Sequence, residues 1–93
     1  MNQDGLEFYN CTGVPVLYRV NTPDYYFLSS CVSFMNDTPE VFPFPEFFRN
    51  KEEINFEEFK ELVRINWDRL DLEYSDEKFE KLLEENREFK SEA

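Results

Sequence analysis

The sequence predicts an α+β fold: a three-stranded antiparallel sheet, then an aromatic and proline-containing crossover, then two amphipathic helices packed on one sheet face. Three observations lead there. Residues 1–48 hold Arg19 as their one basic residue beside six acids, together with eleven of the seventeen aromatics, whereas residues 49–93 hold nine basic and fifteen acidic residues. Apolar residues alternate with period two in the first part. In the second part they recur at helical spacing behind capping residues. The expected organisation is a single domain, 1–93, with a β-rich half over 1–39, an aromatic linker over 40–50 and a helical half over 51–93.

In LEFYN (6–10), Leu6 and Phe8 alternate with Glu7 and Tyr9. In VPVLYRV (14–20), Val16, Tyr18 and Val20 alternate with Leu17 and Arg19, and Pro15 fits a strand entry or an edge position. YYFLSSCVSFM (25–35) is rich in aromatic and β-branched residues and supplies the third strand, with a bend at Ser29-Ser30. NCTG (10–13) and NTPD (21–24) carry turn chemistry between them.

EVFPFPEFF (40–48) places four phenylalanines around Pro43 and Pro45, and the prolines argue against a regular helix or central strand. Its rings either cover the open end of the core or form an exposed docking strip. After it, Asn55 and Glu58 have capping-box spacing. Phe56, Phe59, Val63, Trp67 and Leu70, widened by Leu62, form one helical stripe. Ser75 caps a second helix with Asp76 and Glu77 in its first turn, and Phe79, Leu82, Leu83 and Phe89 make its apolar face.

Composition narrows the chemistry. The chain has no histidine, two cysteines and two glycines, which argues against a histidine base, a closed zinc site and a glycine-rich phosphate loop. Cys31 in an apolar run reads as a small buried residue, and a Cys11–Cys31 bridge is the alternative. DRLDLEYSDE (68–77) packs five acids into ten residues without the register of a calcium loop. No cofactor and no catalytic group is expected. A net charge of −11 opposes direct binding to nucleic acid or to anionic membranes and favours a basic partner. With neither a signal sequence nor an apolar span, a soluble, cytoplasmic protein is expected.

Some of the acids are spaced regularly. Glu80, Glu84 and Glu88 follow one another at i, i+4, where each like-charge pair costs a helix about 0.2–0.5 kcal/mol. Glu53, Glu57 and Glu61 repeat the spacing, with Glu57 and Glu61 as its secure members. Four helical residues advance about 6 Å and phosphates on a strand ~3.4 Å along the axis, so a carboxylate column approaches the charge spacing of a nucleic-acid backbone. The alternative is an ordinary solvated face, in which Lys78 and Lys81 lie beside the column and Glu77 pairs with Lys81.

Trp67 followed by YSDEKF (74–79), after a three-stranded sheet, resembles small acidic phage-encoded inhibitors of the anti-CRISPR type, which occupy the DNA-binding surface of a Cas9-type nuclease. The resemblance implies a non-enzymatic inhibitor that blocks a basic nucleic-acid-binding protein by charge mimicry, acting in the host cytoplasm if phage-encoded. The residues expected to carry this are Glu57, Glu61, Asp68, Asp71, Glu73, Asp76, Glu77, Glu80, Glu84 and Glu88. Two rivals use the same electrostatics: an immunity-type protein that neutralises a toxin, and a small acidic subunit of a larger complex. An enzyme or small-ligand domain would need a pocket.

Overall fold

The computed structural model describes residues 5–20, 22 and 29–87. It is α+β, with β1 (Leu6–Cys11), β2 (Val14–Arg19), β3 (Cys31–Ser33), β4 (Glu40–Val41), α1 (Phe44–Asn50), β5 (Lys51–Ile54), α2 (Phe56–Arg69) and α3 (Asp76–Glu85) in chain order. The described strands form one antiparallel sheet of five, ordered β4-β3-β2-β1-β5.

The expected meander is present as the middle of that sheet, and β4 and β5 extend it at both edges. Neither edge strand shows alternation in its sequence. Lys51, Glu52 and Glu53 of β5 are all exposed, because an edge strand is held mainly by the backbone ladder to its inner neighbour. The helical half therefore begins with a strand, and Glu53 belongs to β5 rather than to a helical column. The third strand is shorter than expected, and residues 25–28 of its predicted span lie outside the described residues.

At the β1–β2 hairpin, Thr12 and Gly13 take φ of 50° and 94°. Two successive positive φ values make a type I′ turn, whose twist matches that of the paired strands. Asn10 Oδ1 accepts the Gly13 N–H at 2.7 Å. Pro15 lies just inside β2, at its entry, although β2 is a central strand.

After β4, most of the expected linker is a helix. Pro43 is the N-cap residue of α1, Pro45 falls in the first turn, and the Phe47 N–H reaches the Pro43 carbonyl at 2.9 Å. Both prolines sit where a helix has no intrahelical acceptor for the missing N–H, so they start the helix rather than prevent it.

Strand alternation sends apolar side chains to both sheet faces. Leu6, Phe8, Leu17 and Val32 share one buried cluster with Phe59, Val63 and Trp67 of α2 and with Phe79 and Leu83 of α3. Tyr9, Cys11, Val16 and Cys31 form a second cluster with Phe47 of α1. The Phe47 ring stacks on Tyr18 at 5.4 Å between centroids and meets Tyr9 edge-on at 4.9 Å. Buried clusters thus form on both sets of strand side chains, because β1 carries Tyr9 and Cys11 opposite Leu6 and Phe8. The aromatic strip is divided accordingly: Phe47 is buried, Phe42 and Phe44 are half-buried, and Phe48 is 64% exposed.

Both expected caps form. The Asn55 and Glu58 side chains exchange bonds with each other's backbone N–H at 2.8 and 3.0 Å, and Ser75 Oγ accepts the Lys78 N–H at 3.1 Å. Leu70, expected in the core stripe, is instead 50% exposed. It is the C-cap of α2, where Leu72 N–H returns to the Trp67 carbonyl at 2.8 Å and Asp71 N–H to the Asp68 carbonyl at 3.0 Å. This paired closure turns the chain outward at Leu70 and brings Leu72 back against the cluster containing Trp67. Phe89 lies outside the described residues.

Trp67 is held by one specific contact. Its Nε1–H donates to the Phe34 carbonyl at 3.0 Å. The Phe34 N–H donates to the Pro15 carbonyl at 2.9 Å, and in an antiparallel ladder the reciprocal bond would run from residue 15 back to Phe34. Proline has no N–H to give. The indole satisfies the carbonyl that Pro15 leaves open, which ties α2 to the end of β3. Asn66 adds a second tie by donating to the Gly13 carbonyl at 3.0 Å and the Leu62 carbonyl at 2.9 Å.

Candidate functional site

The closure of α2 determines where the acidic residues fall. Asp71 takes φ of 60°, and the chain then runs through Leu72 and Tyr74 to the Ser75 cap of α3. The Tyr74 ring meets Trp67 edge-on at 5.6 Å and Phe79 at 6.1 Å, so the connection is anchored to the core. Its hydroxyl donates to Asp76 Oδ1 at 3.1 Å. Burial, then this bond, raise the phenol pKa above its ordinary value.

An open groove of about 480 Å³ results, with Asp68 on one side, Glu73, Ser75 and Asp76 on the other, and Arg64 and Tyr74 in its lining. Three of the expected carboxylates are therefore brought around one depression by two elements and their connection. Asp76 is also paired with Lys60 of α2 at 3.4 Å. Asp71 lies exposed at the turn itself.

Glu57 and Glu61 extend the acidic surface along α2, where Glu61 is four residues on and Asp68 a further seven. Those intervals correspond to about 6 and 10 Å along the axis. Arg64 bonds both Glu61 carboxylate oxygens, with Nε at 3.2 Å from Oε1. That hydrogen bond holds the Glu61 carboxyl below its ordinary pKa and raises that of Arg64. Glu77, Glu80 and Glu84 are exposed on α3, and Arg87 pairs with Glu84 at 3.1 Å. The helix ends at Glu85 with Asn86 as its cap, and Glu88 lies outside the described residues.

Two features of the charge pattern depart from expectation. Lys78 does not balance the α3 acids: its Nζ donates to Asp37 at 3.0 Å and the Glu73 carbonyl at 3.3 Å and lies 5.3 Å from the Trp67 ring centroid. Glu77 and Lys81 form no ion pair among the described residues. Nor do the side chains of Glu57, Asp68, Asp71, Glu73 and Glu80. The pairing of Arg64 with Glu61 and of Arg87 with Glu84 was missed in the sequence, although i, i+3 spacing signals it. The groove has no such signal, since it depends on the chain reversal at Asp71.

Cys11 and Cys31 are free and buried, and burial pushes each thiol up to about 11. Both therefore stay protonated at neutral pH. Among the described residues, no group of three His, Cys, Asp or Glu side chains could hold a metal ion, and no helix is long and apolar enough to cross a membrane. The chain matches no family model, and neither curated proteins nor solved structures give a match.

Proposed function

We propose that this protein is a non-enzymatic inhibitor whose acidic surface occupies a basic, nucleic-acid-binding surface of another protein. One observation carries the reading: exposed carboxylates without an ion pair among the described residues continue from α2 through the turn into α3, with Asp68 and Glu73 meeting at a groove. An Arg or Lys side chain from the partner could enter there and be met from two sides. In this reading α2 and α3 form one layer over the sheet face carrying Leu6 and Phe8. Their outward carboxylates take the place of phosphates. The protein meets its target in the cytoplasm, in the manner of small phage-encoded inhibitors, and itself binds neither nucleic acid nor membrane.

The test is capture of the partner followed by competition. Oligonucleotide should displace the captured protein, and affinity should fall steeply between low and moderate salt because the contacts join ions at an accessible surface. Changing Asp68, Glu73, Glu77 and Glu80 to their amides should weaken binding. A partner held equally well by the amide variant, at all salt concentrations and in excess oligonucleotide, would overturn the reading.

A further inference from the structure

A second groove lies along α2 beside Glu57 and Glu61, which border both it and the acidic surface. Ile54 at the end of β5 and Leu62 and Ile65 of α2 line an open groove of about 360 Å³, rimmed by Glu57, Glu58 and Glu61. It shares no lining residue with the groove at Asp68 and Glu73. Ile65 is 38% exposed although it lies in the middle of a helix. We infer that this groove docks a basic amphipathic helix of a partner protein, with aliphatic anchors on the Ile54–Leu62–Ile65 floor and Lys or Arg residues along the glutamate rim.

Charge and edge chemistry select that occupant. Three glutamates surround an apolar floor, and Arg64, which bonds Glu61, is the one cation engaging them in an ion pair among the described residues. An apolar segment with basic flanks complements both parts, since the anchors remove Ile65 from water and the flanks meet the rim. A second copy of this chain would bring the same carboxylates against themselves at a net charge of −11 each. An added strand would have to pair along β5, whose exposed Lys51, Glu52 and Glu53 discourage edge pairing. A helix lying beside α2 needs no backbone pairing.

The test uses the full chain, ¹⁵N-labelled, and two synthetic Leu/Lys peptides of about 18 residues, long enough for helix formation. One has its leucines on a single helical face, and the other has the same composition scrambled. The amphipathic peptide should shift amides around Ile54, Leu62 and Ile65, and the scrambled one should not. Ile65→Ser, which keeps the rim, and the double change Glu57→Gln with Glu61→Gln, which keeps the floor, should each weaken the amphipathic peptide about tenfold or more. The amide variant at Asp68, Glu73, Glu77 and Glu80 should bind that peptide with little change, which separates this site from the proposed nucleic-acid mimicry. Shifts centred on Asp68 to Glu80, equal binding of both peptides, or unchanged affinity in both groove variants would overturn the inference. So would concentration-dependent shifts at Ile65 in the protein alone, which would assign the groove to a second copy.

Discussion

Replacing Trp67 by Phe keeps an aromatic ring in the core and removes the donor that reaches the Phe34 carbonyl at 3.0 Å. That carbonyl has no ladder partner at position 15, because the residue there is proline. A buried acceptor left without its bond costs about 1–3 kcal/mol, and the smaller ring adds a cavity cost. The sum should be on the order of 2–4 kcal/mol. A chain of this length has about 5–14 kcal/mol of stability in total, so the variant should fold with a clearly lower urea midpoint. The decisive step is a second change, Pro15→Ala, which restores an N–H opposite Phe34. In that background the Trp67→Phe cost should shrink by about 1 kcal/mol, since the ladder can now satisfy the carbonyl. Urea unfolding followed by far-UV circular dichroism reads all four members of the cycle without relying on the indole. If the two changes add to within about 0.3–0.5 kcal/mol, the carbonyl is not shared as described and the argument fails.

Asp71→Gly should stabilise the protein by about 1 kcal/mol, because Asp71 holds a left-handed φ of 60° that glycine adopts without strain. Thermal unfolding should show the gain, and an Asp71→Ala variant should not share it. With both thiols pushed up to about 11, folded-state stability should be full below pH 9 and decline as pH rises from 9 towards 11, because the unfolded chain ionises first. Denaturation midpoints across that range, compared with a double Cys→Ala variant, would check it, and neither thiol should react with a disulfide reagent until the chain unfolds. Changing Glu80 to Gln, which relieves its like-charge i, i+4 spacing with Glu84, should leave the melting temperature unchanged or slightly higher, whereas a marked fall would show that this carboxylate supports the fold.

Features that depend on a few neighbouring residues were readable in advance. The Asn55–Glu58 box, the Ser75 cap, the NCTG turn and the burial of Phe59 and Trp67 follow from spacing within one or two turns of chain. Local chemistry also led to an error at Pro43 and Pro45, where the same rule that forbids proline inside a helix welcomes it at the start. Only the position of the first turn distinguishes the two. Leu70 failed for a related reason: periodicity does not announce the residue at which a helix closes.

By itself, the sequence determined the α+β class, the inner three strands, two helices with their caps, and an acidic exterior with regularly spaced carboxylates. These are consequences of side-chain period, capping chemistry and charge, all of which are written along the chain. Tertiary structure decided that β4 and β5 complete the sheet, that Phe47 covers the Tyr9 face, and which acids keep a cation. It also placed Asp68 near Glu73 and Ile54 near Ile65. Edge strands draw their stability from another segment's backbone, and a groove exists only between surfaces that folding brings together. Neither leaves a period in the residues that form it.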